Sequence, residues 1–454
     1  MKDVPVEKNK DYIVDIYDLG SQGEGIGKYQ NFTIFVPQAL ANEKVKVKIV
    51  KVKKSFAYGK LLEIIEPSKD RIHPVCSVAT KCGGCQLQHM DYKAQLVWKR
   101  KKVQDVLERI GGIKEIQVEK TLGMENPIHY RNKAKYPIRK VDEKVEIGFF
   151  APRSHRIVPT ENCDIEHIGN REIIQIVKSF LQKHSISIYD EQTHKGLMRH
   201  LVIKAAYFTN EKMVILVING KDLPHKEEII EQLKEIGVTS IFLCHNTKKT
   251  NVILQPSLTL LEGKSYIVDK IGELSFQISP LSFFQVNPMQ TKVLYQKALE
   301  YADLKGEETV WDAYCGIGTI SLFLAQKAKK VYGVEIVEEA IEAAKENAHI
   351  NGMTNVSFFP GKAEEVIPKL YQEGVQADVI VVDPPRKGCD EKLLKTIVQM
   401  NPQKVVYVSC DPATLARDLK YLTGEGYQVE KVQPVDMFPY TTHVEACVLL
   451  VKTS

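Results

Sequence analysis

One segment indicates most clearly how the carboxyl-terminal part of the chain folds: Trp311-Asp312-Ala313-Tyr314-Cys315-Gly316-Ile317-Gly318-Thr319-Ile320. Its first residues are mostly apolar, which is typical of a strand, and its glycines are typical of a turn. Its last residues are typical of the beginning of a helix. Glycine lets the backbone approach a ligand closely because it has no Cβ. Downstream, predicted strands alternate with predicted helices, which indicates a mostly parallel sheet with right-handed crossovers. We therefore predict a doubly wound α/β domain over 276–454.

Side chains just past the strand ends of this domain are the candidates for a functional site, because ligands of such folds bind outside the carboxyl ends of the strands. Strands are predicted over 310–313, 330–334, 356–360, 378–382, 405–408 and 444–451. Helices are predicted between them, for example over 320–327, 337–351 and 391–401.

Acidic residues follow two of these strands. Glu335 comes about 20 residues past the glycine turn, where an acid binds a ribose diol. The turn Gly316-Ile317-Gly318-Thr319 lacks the third spaced glycine of the pyrophosphate-binding pattern. This favours a ligand without a pyrophosphate, such as S-adenosylmethionine. Asp383, in Asp383-Pro384-Pro385-Arg386, ends another buried strand and is placed to face both the donor and a substrate base.

A cysteine follows the strand 405–408, in Ser409-Cys410-Asp411-Pro412. The Cys410 thiol has two interpretations: an inert buried side chain, or a nucleophile facing the ligand crevice. Beside a methyl-donor pocket, the second indicates methylation of a pyrimidine. Uracil C5 is a poor nucleophile, and a thiolate that adds to C6 makes C5 reactive.

The same chemistry needs a base to remove the C5 proton before the thiol is eliminated. Two candidates stand in Thr442-His443-Val444-Glu445, at the start of the last predicted strand. A histidine at a strand end is more often a surface or capping residue. We therefore favour Glu445 over His443.

Composition sets broad limits. A chain of 454 residues is too long for one ordinary core, so about two to four domains are expected. A net charge of +5 permits an RNA partner without requiring one. There is no apolar run after Met1 and no stretch long enough to span a bilayer. The sequence thus predicts a cytoplasmic protein without a membrane partner, and no segment indicates an obligate protein partner.

The amino-terminal segment 5–66 is predicted to be a small β-barrel. Residues 32–37 and 43–49 alternate apolar and polar side chains, which is typical of strands with one buried face. The polar face of the second segment is a row of lysines that continues beyond it. Such a row either protects an edge strand or binds a phosphate backbone.

A central α+β domain is predicted over 67–275, with a helix over about 91–112 that we expect to contact the catalytic domain. Four cysteines of this domain form a pattern, and four thiolates hold either zinc or an iron–sulfur cluster. They are Cys76, Cys82, Cys85 and Cys163. Their uneven spacing favours a cluster over zinc. Four other cysteines are interpreted as packing residues: Cys244, Cys315, Cys389 and Cys447.

Taken together, these motifs resemble the RNA uracil-5-methyltransferase family, and most of all its bacterial 23S ribosomal RNA branch. The likeness also rests on Ser279-Pro280-Leu281-Ser282-Phe283-Phe284-Gln285-Val286-Asn287-Pro288, and it runs nearly end to end. It implies Cys410 as nucleophile and Glu445 as base. It also implies a Rossmann-like domain that binds S-adenosylmethionine through Gln285, Tyr314, Glu335 and Asp383.

The resemblance extends to the other two domains. Residues 5–66 are similar to the TRAM module, an OB-like RNA-binding barrel, through Gly23-Glu24-Gly25-Ile26-Gly27 and Phe35-Val36-Pro37. The four patterned cysteines match the arrangement that holds a [4Fe–4S] cluster in the ribosomal RNA branch. The expectation is therefore methylation of uridine C5 in 23S ribosomal RNA. The alternatives are the same reaction on transfer RNA and a non-catalytic iron–sulfur RNA-binding protein.

Overall fold

The computed structural model describes residues 4–453 of the chain. Five strands close an amino-terminal barrel in the order β1-β2-β3-β5-β4. Their bounds are β1 Asp11–Leu19, β2 Gly25–Tyr29, β3 Phe32–Val36, β4 Glu43–Val52 and β5 Phe56–Glu66. Val45, Val47 and Ile49 of β4 are fully buried, whereas the lysines between them lie on the outer face. The predicted alternation thus fills the barrel and leaves a basic outer wall.

A central sheet of seven strands follows, in the order β12-β11-β10-β9-β6-β7-β8. The strands are β6 Lys133–Val141, β7 Lys144–Phe150, β8 Ile157–Pro159, β9 Met198–Ala205, β10 Lys212–Ile218, β11 Ser240–His245 and β12 Leu258–Gly263. Helices α2 Asn170–Lys183 and α3 Lys226–Glu235 cover one face. Through residues such as Val202, Ile215 and Phe242, the other face shares a core with the hairpin β13 Ile267–Ile271 and β14 Leu274–Ile278. The central sheet and the last domain are therefore joined by continuous apolar packing.

Helix α1, Tyr92–Val106, begins at Asp91, whose carboxylate accepts hydrogen bonds from the backbone N–H groups of Lys93 and Ala94. Its end continues into a π-helical turn, Leu107–Gly111, which stops at Gly112 in the left-handed region. This turn packs against α9, Pro412–Gly424, directly behind Cys410. The helix and the turn that follows it therefore both contact α9.

The last sheet has the order β17-β16-β15-β18-β19-β21-β20. Its strands are β15 Thr309–Ala313, β16 Lys330–Glu335, β17 Val356–Pro360, β18 Val379–Val382, β19 Lys404–Ser409, β20 Tyr427–Val435 and β21 Glu445–Lys452. The helices between and before them are α4 Pro288–Ala302, α5 Thr319–Ala325, α6 Glu338–Ile350, α7 Ala363–Gln372 and α8 Glu391–Met400. Strands β15 to β19 run parallel, and β21 inserts antiparallel between β19 and β20. The predicted Rossmann-like α/β fold with its amino-terminal barrel is confirmed.

One strand of this sheet has no counterpart in the sequence analysis. β20 carries exposed Glu430 and Lys431 at an irregularity in its pairing, and Pro434 lies near its end. Proline and broken alternation weaken the pattern of a strand, so the local signal is poor. Its pairing with β21 is nevertheless what buries β21 between two neighbours.

Within the described chain, no helix combines the length and apolar composition that a bilayer crossing requires. The domain boundaries 5–66, 67–275 and 276–454 stay predictions.

Candidate active site

The register of two antiparallel strands brings the predicted nucleophile and base together. Ser409 of β19 pairs with Ala446 of β21 at the end of their ladder. The next residues outward are Cys410 and Glu445, so they lie across from each other at the edge of the sheet. Cys410 is half-buried, whereas only 2% of Glu445 is exposed.

Both side chains line a cavity of about 700 Å³ at this edge. The four predicted donor-binding residues line the same cavity: Gln285, Tyr314, Glu335 and Asp383. The structure therefore brings all six residues together from strand ends that are far apart in the chain. A cavity of this size lies in the range of small-molecule sites.

The turn after β15 has a backbone that few side chains adopt. Tyr314 has φ 76°, although it is not a glycine, and Gly316 and Gly318 have φ 55° and 84°. A Cβ on Gly318 would lie 3.1 Å from Phe358 and 3.2 Å from Ala344. The turn therefore requires glycine at 318 for conformation and for space. The strained Tyr314 is held by its N–H, which donates to the Val334 carbonyl of β16.

Two carboxylates flank this turn. Glu335 accepts hydrogen bonds from the N–H groups of Gly316 and Val337, at 3.2 and 3.0 Å, which fixes it at the rim of the cavity. Asp312 is fully buried, and its Oδ2 accepts from the Ser321 hydroxyl. Among the described residues its Oδ1 has no hydrogen-bond partner, although Asp312 lines the cavity. A buried acceptor of this kind fits a ligand with polar hydrogens. Sequence reasoning did not select Asp312, although it begins the motif that contains Tyr314.

Electrostatics couple the acidic groups on the other side of the cavity. Burial raises the pKa of Glu445 well above the usual range of a carboxyl, and the neighbouring Asp383 raises it further. Burial also raises the pKa of Asp383, with a smaller contribution from Asp312. Two buried carboxyls that repel each other when charged do not both ionise readily. Each is therefore a better proton acceptor than an exposed carboxylate.

The same two carboxyls also affect the pKa of the Cys410 thiol. Burial raises the pKa of Cys410 to about 12, Glu445 and Asp383 add to the rise, and Arg386 opposes it. At neutral pH the thiol is therefore protonated in the ligand-free protein. Its activation requires a proton acceptor or added positive charge, and Arg386 is a cation that lines the cavity.

His443 also lines the cavity, with its ring at 5.8 Å from that of Phe438. Partial burial lowers the pKa of His443 to about 4, and nearby cations such as Arg386 and Lys102 contribute. An imidazole with this pKa is a weak proton acceptor compared with Glu445. The shifts thus make Glu445 a stronger proton acceptor than His443.

The segment Ser279–Pro288 forms another part of the wall. Phe283 lines the cavity with 64% of its surface exposed, whereas Phe284 is buried in the core. Buried Lys204 of β9 donates hydrogen bonds to the carbonyls of Ser279 and Ser282, at 2.7 and 2.9 Å. Asn132 donates to the Gln285 carbonyl. The central domain therefore positions the segment that carries Phe283 and Gln285.

A buried ion pair supports the segment before β21. Lys99 of α1 and Asp436 are both fully inaccessible, with Nζ and Oδ1 2.5 Å apart. Asp436 also accepts from the Tyr92 hydroxyl, and Lys99 donates to the Phe438 carbonyl. Because breaking a buried pair leaves an uncompensated charge, this contact fixes the segment that carries Phe438 and His443.

The four patterned cysteines lie together, beside that same segment. The pKa of Cys85 is raised to about 12 by burial, and Cys82 and Cys76 contribute. Burial likewise raises the pKa of Cys163, with contributions from Glu166, Cys85 and Cys76. The backbone N–H groups of Gln86 and Leu87 donate to the Tyr440 carbonyl. All nine cysteines are free. Within residues 4–453, no group of three or more His, Cys, Asp or Glu side chains is arranged to hold a metal ion.

Comparisons with known proteins give the class to which this fold and site belong. The family model described as tRNA (Uracil-5-)-methyltransferase matches residues 91–453, and the TRAM domain model matches residues 5–62. An uncharacterized RNA methyltransferase of Clostridium tetani is 57% identical over 451 residues, which cover 99% of this chain and 98% of the relative. One of Caldanaerobacter subterraneus subsp. tengcongensis is 51% identical over 447 residues, or 98% and 99% of the two chains.

A solved structure gives the same result. The Pyrococcus abyssi tRNA (uracil-54, C5)-methyltransferase, in complex with S-adenosyl-L-homocysteine, is 29% identical with a TM-score of 0.79. The match covers 97% of this chain and 100% of that one. The protein is an RNA methyltransferase that uses S-adenosylmethionine. It belongs to the tRNA (Uracil-5-)-methyltransferase family and carries a TRAM domain. The resemblance seen in the sequence is confirmed at this level.

The cavity fits the methyl donor of this family. The strained turn at Tyr314 and Gly316 lines the cavity, and Glu335 lies at the rim of the cavity. Among the described residues, the buried Oδ1 of Asp312 has no hydrogen-bond partner. These groups suit the ribose and amino-acid portions of a nucleoside ligand.

Proposed function

We propose that the protein methylates C5 of a uridine in 23S ribosomal RNA, with Cys410 as a transient covalent nucleophile and Glu445 as the base. The observation that carries this proposal is the pairing at the end of β19 and β21, which sets Cys410 opposite Glu445 in the donor cavity. A thiol and a carboxyl of raised pKa at one edge are what C5 methylation needs.

The reaction begins at the thiol. Cys410 loses its proton to the carboxylate of Asp383, which returns the proton when the thiolate leaves, and its sulfur bonds to C6 of the ring. Glu445 is thereby left free to accept the C5 proton later. The C5–C6 double bond is thereby converted into an enolate with nucleophilic character at C5. Arg386 favours the thiolate because its positive charge faces the same cavity. When bound, S-adenosylmethionine supplies a methyl group on a sulfonium, whose charge also favours ionised carboxylates.

Glu445 completes the reaction. Once C5 carries the methyl group, its remaining hydrogen must leave as a proton, and Glu445 accepts it. The electron pair then restores the C5–C6 double bond, and the bond from C6 to Cys410 breaks. The raised pKa of Glu445 suits this step because a stronger base takes the proton more readily. We propose that Gln285, Tyr314, Glu335 and Asp383 hold the donor, together with Asp312.

The four patterned cysteines support ribosomal RNA through the resemblance seen in the sequence. The solved relative, named as a transfer RNA enzyme, matches 97% of this chain. The shared fold therefore makes transfer RNA the second candidate substrate.

We also propose that Cys76, Cys82, Cys85 and Cys163 hold a [4Fe–4S] cluster. The supporting observation is that four free thiols influence one another electrostatically around one loop. Four cysteine thiolates are the usual ligands of such a cluster. The reaction has no electron transfer, so the cluster would stabilise the loop beside Tyr440.

Protein purified without oxygen should contain iron and sulfide, and the variant Cys85→Ser should lose both. Zinc without sulfide in the wild-type protein would contradict the cluster.

The substrate is tested with purified RNAs as sole methyl acceptors. Given labelled S-adenosylmethionine, the protein should methylate 23S ribosomal RNA, and digestion should return the label as 5-methyluridine. Cys410→Ala should give no product, because C5 is not activated without the thiol. Transfer RNA as the better acceptor would contradict the substrate, and label in another nucleoside would contradict the chemistry.

Glu445→Gln tests the assignment of the base. Glutamine cannot accept the C5 proton, so the variant should accumulate a methylated protein–RNA adduct that survives a denaturing gel. Multiple-turnover rate should fall about 100-fold or more, in the range of a lost general base. The double variant Cys410→Ala/Glu445→Gln is the control and should form no adduct. Product release by Glu445→Gln at the wild-type rate would refute the role of this residue.

A further inference from the structure

A second cavity of about 610 Å³ lies where the barrel, the cysteine loop and the segment before β21 meet. The barrel contributes Gln22, Glu24, Gln38 and Tyr58, and the cysteine loop contributes Gln86, Gln88 and His89. His443 lines this cavity and also the catalytic one. His443 therefore borders both cavities.

Close contacts fix the barrel at this position. Gly23 of its first turn has φ 77°, and a Cβ there would lie 2.8 Å from Leu87 and 3.0 Å from Thr442. Lys102 of α1 donates to the Ser21 carbonyl and to the Thr442 carbonyl, at 3.1 and 2.8 Å. The cavity is thus built between elements in direct contact and is preformed.

The walls carry groups that bind an unstacked base. Tyr58 provides an aromatic ring that packs against Phe35 and Phe56, with centroids at 5.9 and 5.5 Å, and exposed Lys51 pairs opposite it in β4. Aromatic rings beside cations are typical of single-strand RNA sites. At the other wall, Nε2 of His89 is buried and has no hydrogen-bond partner among the described residues.

The proposed cluster would lie along only one wall of this cavity. Cys82 and Cys85 are its lining thiols, whereas the barrel side presents Tyr58 and the amides of Gln22 and Gln38. Arg71 is held by Glu43 and by the Gln38 carbonyl, so it shapes the wall. Exposed Arg153 stands at the rim, where it suits a phosphate.

We propose that this second cavity binds the base of a nucleotide adjacent to the target uridine in the same RNA strand. The inference rests on the proposed function, because a uridine that enters the catalytic cavity must leave its stack. The strand then passes His443, and the neighbouring base enters the space on the other side. The second cavity therefore holds the neighbouring base in place, while the target uridine occupies the first cavity.

The test uses the shortest fragment of whichever RNA accepts methyl groups, with one abasic site introduced at each flanking position in turn. With the wild-type protein, one flanking abasic site should lower kcat/KM about tenfold, as expected for a lost base–aromatic stack, and the others should change it little. Tyr58→Ala should lower kcat/KM on the intact fragment to a similar extent. It should also abolish the preference for the base-bearing RNA.

Two further variants separate this role from a general effect on folding or RNA affinity. Tyr58→Phe keeps the ring and should retain the preference. Tyr17→Ala removes an exposed barrel tyrosine outside the cavity and should retain it as well. Two results would overturn the second site alone. One is a Tyr58→Ala variant that still prefers the intact RNA to the abasic RNA, and the other is a wild-type protein for which no flanking abasic site lowers kcat/KM. Failure of every RNA to accept a methyl group would overturn the proposed function and this inference together.

Discussion

The antiparallel pairing of β19 with β21 is the constraint on which the site depends. Because Ser409 pairs with Ala446, the residues next outward on the two strands, Cys410 and Glu445, lie across from each other. β20 holds β21 from the other side, with Val435 paired to Glu445. The parallel strands β15, β16 and β18 end at the same edge, so the donor-binding side of the cavity is set by the same sheet.

Burial at this edge determines the chemistry that the groups can perform. Glu445, Asp383 and Cys410 are each harder to ionise than in water, since they share a desolvated space and repel one another when charged. Each of these groups therefore holds its proton more tightly than it would in water. Arg386 is the cation that offsets this repulsion. The supporting residues, Lys99 and Lys204, act at a distance by holding the segments that carry Phe438 and Phe283.

Much of the catalytic edge could be predicted from the sequence, since strand ends and a glycine turn are local patterns. Cys410, Glu445, Glu335 and Asp383 each stand directly after or at the start of a strand, and they line one cavity. The unpaired oxygen of Asp312 was not predictable, because it depends on burial that only the packed structure gives.

Long-range contacts set the rest. Lys204 lies in a strand where a lysine would be expected to reach solvent, yet it is buried against the carbonyls of Ser279 and Ser282. The second cavity depends on Gly23, Leu87 and Thr442 meeting, which no local pattern reveals. The cysteine pattern was visible in the sequence, but the proximity of Cys163 to Cys76 and Cys85 depends on long-range packing.

The proposed reaction depends on one bond, between the sulfur of Cys410 and C6 of the target pyrimidine. It is tested most directly by incubating the protein and donor with acceptor RNA that contains 5-fluorouridine, whose C5 fluorine cannot leave as a proton. After protease and nuclease digestion, tandem mass spectrometry should find a methylated fluorouridine nucleotide on the peptide that contains Cys410. A nucleotide attached to another residue, or methylated RNA with no attached peptide at any stage, would contradict the account.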